Sequence, residues 1–404
     1  MPFESVHFDG VSRLAGEVEA GYDDSRQDEV ADDLWSALDP LVDDGERVLY
    51  PVESLARYSV DPREVALEDD EFATQHAVDS GTLNPVSFYN GLVVDVAHAA
   101  MASLPSDVSL HRRRSVVESV YTSDASVSLG DEHLEFDDGA AIAEVVRVPS
   151  QIPSLRSEAT HAFALYLAES RHARRCWDRV EDLLYLDGPL YPKGLLRWIA
   201  GGEPVVGESD LTREVLSNYA WLVDRAVEDD VALAGFVKNP SSSAVVRCLS
   251  GCPWSTDAGF YRFALEPDVE GRLTCSNWFV SEFYADRSWR SPSALSGELD
   301  AEDYLPCQMM VREPEDGLVF KVEAPLALVR DPGVRESLRR QLLKEVASNG
   351  VPRAVSRADS LARVERGQRQ ALVRGLEEAF GCPREPGYDG ERWGYDRSSM
   401  GLTL

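Results

Sequence analysis

Apolar and polar positions follow two rhythms along this chain, and each change of rhythm marks an element. The runs "VSRLAGEVEAGYDD" and "RQDEVADDLWSALDPLV" space their apolar residues near a helical period, and Pro40 closes the second, so residues 1–70 read as an acidic N-terminal helical arm. The rhythm shortens at "QHAV" (75–78), a strand leading into the turn signal "DSGTLNP" at 79–85. "FYNGLVVDVAHAAMASL" begins β-branched and turns alanine-rich. "RSVVESVYTS" and "AAIAEVVRVPS" read as further strands, the second following the acidic turn "GDEHLEFDDG".

From Leu155 to Val180 the pattern is one long helix, which delivers the chain into "DLLYLDGPLYPK" (182–193), apolar up to an aspartate and then bent by Gly188 and Pro189. Strand, long helix, strand is the pattern of a sheet covered by helices. "LTREVLSNYAWLVDRAVED" is a further helix, and "VALAGFVKNP" a further strand that ends at Lys238 and a polar loop. Residues 250–330 alternate aromatic strands with Gly, Asp and Pro turns. "GVRESLRRQLLKEVASNG" is a long helix, "VPRAVSRADSLARVERGQRQALVRGLEEAF" adds one more, and the pattern weakens from Gly381. The expected organisation is an α/β fold: an arm at 1–70, a main domain at 71–375 with a β-rich part at 250–330, and a tail at 376–404.

Composition narrows the class. With 44% hydrophobic and 27% charged residues in 404, the chain has the balance of a folded protein. No apolar run approaches the roughly 18 residues of a membrane span, and the start lacks a basic flank followed by an apolar core, so a cytoplasmic location is expected. Six cysteines without CxxC spacing indicate neither a disulfide framework nor a zinc ribbon; "CLSGC" (248–252) lacks a second ligand pair. The net charge of −31 argues at first against nucleic acid. Only four of the forty basic residues are lysine, however, and the acids are spread throughout, as on the solvated surface of a salt-adapted protein. Local charge then carries more information than net charge. The basic clusters "HRRR" (111–114) and "RESLRRQLLK" (335–344) read as solvated faces.

Two segments share a design: "HAVDSGT" and "LLYLDGPL" each place an aspartate after a short apolar strand and before a glycine. Asp before Gly-Pro is ordinary turn chemistry when taken alone. On neighbouring strands, however, Asp79 and Asp187 would lie together, and two adjacent carboxylates either share a proton or bind a cation. A third acid would come from the preceding helix, where Glu169 lies eighteen residues before Asp187 and Glu158 is the alternative. Such hard oxygen donors suit Mg²⁺ or Mn²⁺, and two ions about 3.5–4 Å apart are the usual apparatus of phosphodiester hydrolysis.

"AVDSGTLNP", "YLDGPLYP", "LAGFVKNP" and "VPRAVSRADSLARV", in this order, resemble the signature segments of the NurA family of archaeal DNA-repair nucleases, in a haloarchaeal form. The resemblance spans roughly residues 75–370. It implies an RNase H-like fold, a mixed sheet flanked by helices, assembled as a ring-shaped homodimer around DNA. It further implies manganese-dependent degradation of single-stranded DNA from 5′ to 3′, with endonuclease action, beside the hexameric HerA translocase in double-strand-break resection; no membrane is involved. Mn²⁺ is the cofactor implied, with Mg²⁺ the other candidate. By position, Asp79 matches the family's first-strand metal aspartate and Asp187 the aspartate of its "DG" strand. Glu169 stands for its helix glutamate, Asp359 for a late acidic or histidine position, and Lys238 for a lysine after a strand that would contact phosphate.

Two departures stand out. The first motif reads Asp-Ser-Gly where many members read Asp-Gly-Ser, which puts the turn geometry in question, and no histidine falls in the final helix. The first departure favours the alternative expectation, a catalytically lapsed adaptor of a DNA motor. A small-substrate phosphatase ranks below both, because "DGPL" lacks the second aspartate a phosphoaspartate mechanism uses.

Overall fold

The computed structural model describes residues 11–16, 24–124, 126–127, 133–136, 139–152, 154–201, 204–207, 209–283 and 297–385. Residues 17–23 of the first predicted helix and most of the expected tail, 386–404, lie outside the described residues, as does part of the acidic turn at 130–139.

The centre is a mixed sheet. β1 (Gln75–Thr82), β2 (Val93–Leu104) and β3 (Arg114–Tyr121) form an antiparallel meander, with β4 (Ala141–Arg147) parallel to β3 on its far side. On the other side of β1 lie β5 (Leu183–Asp187) and β6 (Ala232–Val237), each parallel to its inner neighbour. The order β3-β2-β1-β5-β6, with β1, β5 and β6 parallel, is the RNase H-like arrangement. β7 (Pro306–Arg312) and β8 (Val319–Pro325) extend the sheet beyond β6 through antiparallel pairing.

Helices cover both faces, which is why the central strands read as continuous apolar runs rather than alternating ones. On one face, α1 (Arg156–Arg175) and α2 (Asp210–Glu228) bury Phe163, Leu167, Val215 and Tyr219 against Val78, Leu184 and Leu186. On the other, α3 (Pro332–Asn349) and α4 (Arg353–Ala362) bury Leu338, Ala354 and Ala358 against Ala77, Tyr185 and Ala234. The alanine-rich stretch of β2 is strand throughout. Its small side chains let helices lie close on both faces, and that packing outweighs alanine's weak strand preference.

Three expectations change. Residues 11–16 and 24–35 are helical as expected, but the arm also carries strands: Leu41–Asp43, Glu46–Pro51 and Arg57–Val60 belong to the same sheet. They pair with one another and with Phe279–Ser281 and Leu273–Ser276, and with Trp35 and Leu38 they close a third core around Phe260, Tyr261 and Phe279. The β-rich stretch is likewise a continuation of the sheet, and it carries the helix Asp257–Ala264. The single helix expected at 351–380 is two, α4 and α5 (Arg366–Phe380), because Glu365 caps α5 in a reciprocal capping box with Gln368.

Candidate metal centre

The last paired residues of β1 and β5 are Val78 and Leu186, so the next positions on these parallel neighbours are Asp79 and Asp187. Alternation puts both on the face of Ala77 and Tyr185, towards α4, while Ser80 faces α1. From α1, Glu169 closes the group: the Ser80 hydroxyl donates to its Oε1 at 2.8 Å, and the Tyr219 hydroxyl approaches its Oε2 at 3.5 Å. Lys238, the residue after β6, donates from Nζ to Asp187 Oδ2 at 2.6 Å. From α4, Asp359 lies near enough for its charge to raise the carboxyls of both Asp79 and Asp187.

Thus the structure brings Asp79, Glu169, Asp187, Lys238 and Asp359 to one end of the sheet. Glu158 is exposed in the first turn of α1 and does not join them; Glu169 is the helix glutamate that lies beside Asp79.

The electrostatics are those of crowded, half-buried carboxylates. Burial and then the nearby Asp79 push Glu169 up to about 8, against the bonds from Ser80 and Tyr219. Burial and then Asp187 push Asp79 up to about 7, although the Ser80 N–H donates to Asp79 Oδ1 at 2.7 Å. Burial also raises Asp187, and the Lys238 ammonium opposes that rise.

Among the described residues no three acidic, histidine or cysteine side chains converge on one point as they stand. In this arrangement Lys238 holds Asp187 and Ser80 holds Glu169. The donor set still fits a hard divalent ion. Three carboxylates from three elements, with Glu169 raised by burial and then Asp79, and Asp79 by burial and then Asp187, are stabilised as anions by a cation placed among them.

Backbone contacts fix the aspartates. β1 does not turn at Asp79-Ser80-Gly81 but runs on to Thr82, which corrects the expected turn and removes the doubt attached to its residue order. A Cβ on Gly81 would lie 1.8 Å from the Ala362 carbonyl oxygen, so glycine is what lets the end of α4 dock on β1. The order Ser-Gly therefore aims a hydroxyl at Glu169 and leaves room for the helix carrying Asp359. Similarly, a Cβ on Gly235 would meet Leu190 N at 2.6 Å and Gly188 O at 2.7 Å, so the loop after Asp187 folds directly over β6. Asp187 bonds Lys238 across the sheet end, not the amides of its own turn.

Sequence reasoning missed Ser80, Tyr219 and a buried group beside the loop. Glu323 accepts from Lys193 at 2.6 Å, from Lys321 at 2.7 Å and from the Leu190 N–H at 3.1 Å. Burial would raise its carboxyl, but the two ammonium groups outweigh burial and hold it at about 2. The scarcity of lysine was the available signal: Lys193, Lys238 and Lys321, three of the four, lie at this end of the sheet. In the cluster at 111–114, Arg114 is not a solvated residue. Its guanidinium bonds the carbonyls of His111, Arg113 and Leu361.

An RNase H-like sheet with carboxylates collected at the ends of its two central parallel strands, and a lysine against one of them, defines the class as nuclease-like in fold and site. The NurA domain profile matches residues 73–364, the greater part of the chain, and the chain belongs to the NurA family. Among solved structures, the NurA nuclease from Sulfolobus solfataricus is similar at 12% identity and a TM-score of 0.49, over 94% of this chain and 98% of that one. A NurA structure with manganese gives 11% and 0.44 over 78% and 93%; one bound to dAMP and manganese gives 12% and 0.42 over 78% and 89%. Comparison with curated protein sequences found no match. No helix among the described residues is long and apolar enough to cross a membrane.

Proposed function

We propose that this chain is a metal-dependent deoxyribonuclease that degrades single-stranded DNA from 5′ to 3′ and cuts internally. It would act as a homodimer with a HerA-type hexameric ATPase in the resection of DNA double-strand breaks. Family membership supports the class. The observation that carries the chemistry is the adjacent pair Asp79 and Asp187 with Glu169 beside it, Asp79 and Glu169 being raised to about 7 and about 8. Carboxylates kept together at such a cost are maintained for a cation.

Asp79, Glu169 and Asp187 would hold Mn²⁺, with Mg²⁺ the next ion to try; manganese is also the ion of two of the similar structures. When bound, the ion supplies Lewis-acid stabilisation of phosphoryl charge and lowers the pKa of water. Ser80 and Tyr219 orient Glu169, and Asp359 adds negative charge from α4. The Lys238 ammonium, at the same edge, is positioned to neutralise a phosphate oxygen as a point charge. The Ser80-Gly81 order, first a reason to favour a lapsed adaptor, supports an active site instead, because Ser80 bonds Glu169 and Gly81 admits α4.

The test is cleavage of 5′-labelled and 3′-labelled single-stranded DNA in molar KCl with Mn²⁺, comparing the wild type with Asp187→Ala. Label-dependent ladders from the wild type alone are expected, with polarity read from the label, and Mn²⁺ should raise the unfolding temperature of the wild type only. Binding of DNA without cleavage by either protein would instead identify the adaptor.

A further inference from the structure

A second polar group lies on the same helix as Glu169, away from the carboxylate cluster. Asp95 of β2 is fully buried, and its Oδ2 lies 2.8 Å from Nδ1 of His161, whose side chain is 38% exposed. Two independent measures place this dyad relative to the cluster. Along α1, His161, Leu165 and Glu169 are spaced i, i+4, i+8, one partly exposed stripe, and eight residues rise about 12 Å. Along the sheet, Ser80 pairs with Ala99, and Asp95 is four residues farther on β2, about 13 Å. The agreement shows α1 running along β2, with Glu169 over one end of the stretch and His161 over the other.

The chemistry of the dyad follows from burial. Asp95 Oδ1 has no hydrogen-bond partner of good geometry among the described residues, so a bare carboxylate charge there is costly. The Nδ1 edge of the imidazole is thus held against a buried acid, and Nε2 lies on the opposite edge of the ring. Burial raises Asp95 further, against the bond from His161. An imidazole braced from behind by a buried acid, its Nε2 edge opposite that brace and beside a stripe that leads to a carboxylate cluster, matches the needs of an anionic chain passing over that cluster.

We infer that His161, oriented by Asp95, binds a backbone phosphate of the single-stranded nucleic acid about three stacked nucleotides from the one at the metal centre, taking a rise of about 3.4 Å per nucleotide. Asp95 is a positioning residue and His161 a binding residue. The inference rests on the nuclease reading for its ligand but not for its readout, which is equilibrium binding of fluorescent DNA in EDTA, where no metal-dependent cleavage occurs.

His161→Gln is expected to weaken binding of a long single-stranded oligonucleotide roughly tenfold, the worth of one hydrogen bond to a charged group. Affinity for a dinucleotide, too short to reach, should not change. Asp95→Asn should act in the same direction, and His161→Lys should restore binding. Equal affinity of His161→Gln and the wild type for the long strand would overturn the inference. So would equal losses on both lengths with a lowered unfolding temperature, the mark of a merely structural role. A wild type that binds no DNA would overturn both this contact and the nuclease reading. Wild-type binding without Mn²⁺-dependent cleavage would be a failure of the catalytic reading alone, with the affinity comparison still deciding the His161 contact.

Discussion

Glu169 and Asp79 hold their protons to about 8 and about 7 in the folded, metal-free protein, well above the ordinary carboxylate range. Through that interval the folded state binds more protons than the unfolded chain, so stability falls as pH rises. The metal-free protein is therefore expected to be most stable towards pH 4 as far as these groups decide, and to lose stability progressively up to about pH 8. Glu169→Gln should flatten that slope and raise the unfolding temperature in EDTA at pH 8 while abolishing cleavage. A Glu169→Gln melting profile parallel to the wild type across pH 5–8 would contradict the assignment. Mn²⁺ affinity should run the opposite way and tighten with pH, since binding releases these protons. The placement of Asp79 and Asp187 could be anticipated from sequence because each follows an apolar strand, and parallel neighbours put such positions side by side. Ser80 and Tyr219 could not, because their bonds to Glu169 depend on how α1 and α2 cross the end of β1, which no local spacing encodes.

Elements reach the site through backbone proximity. The end of α4 docks on β1 only because Gly81 has no side chain, so Gly81→Ala is expected to cost on the order of 3 kcal/mol or more and to displace Asp359. Denaturant unfolding with an activity assay checks this; wild-type stability would show that α4 can move away without loss. The strands and long helices of the central sheet were legible because their apolar runs are long and their boundaries carry Gly, Pro and Asp. Two boundaries went unread although their signals were present. Asp44-Gly45, both at positive φ, is a two-residue hairpin turn joining Leu41–Asp43 to Glu46–Pro51, and Glu365 with Gln368 is a helix start hidden inside a continuous helical pattern. In both places a short turn or cap outweighed the periodicity around it.

Charge acts on the whole molecule at once. A net charge of −31 opposes compaction at low ionic strength, and salt screens that repulsion within about 10 Å at 0.1 M and about 3 Å at 1 M. The unfolding temperature is expected to rise as KCl is increased from low to molar concentration; a flat or falling profile would show that the acidic surface contributes no net repulsion. Sequence order also misled at this scale. The N-terminal segment looked like a separate helical arm, yet Glu46–Pro51 and Arg57–Val60 supply pairing partners to Phe279–Ser281 and Leu273–Ser276, more than two hundred residues away. A chain trimmed to the family-matched region would leave those later strands as raw edges, each a template for the equivalent segment of another copy. The arm is thus the piece through which two molecules could trade strands, and its attachment in cis is what keeps a folding chain from being stitched to its neighbour.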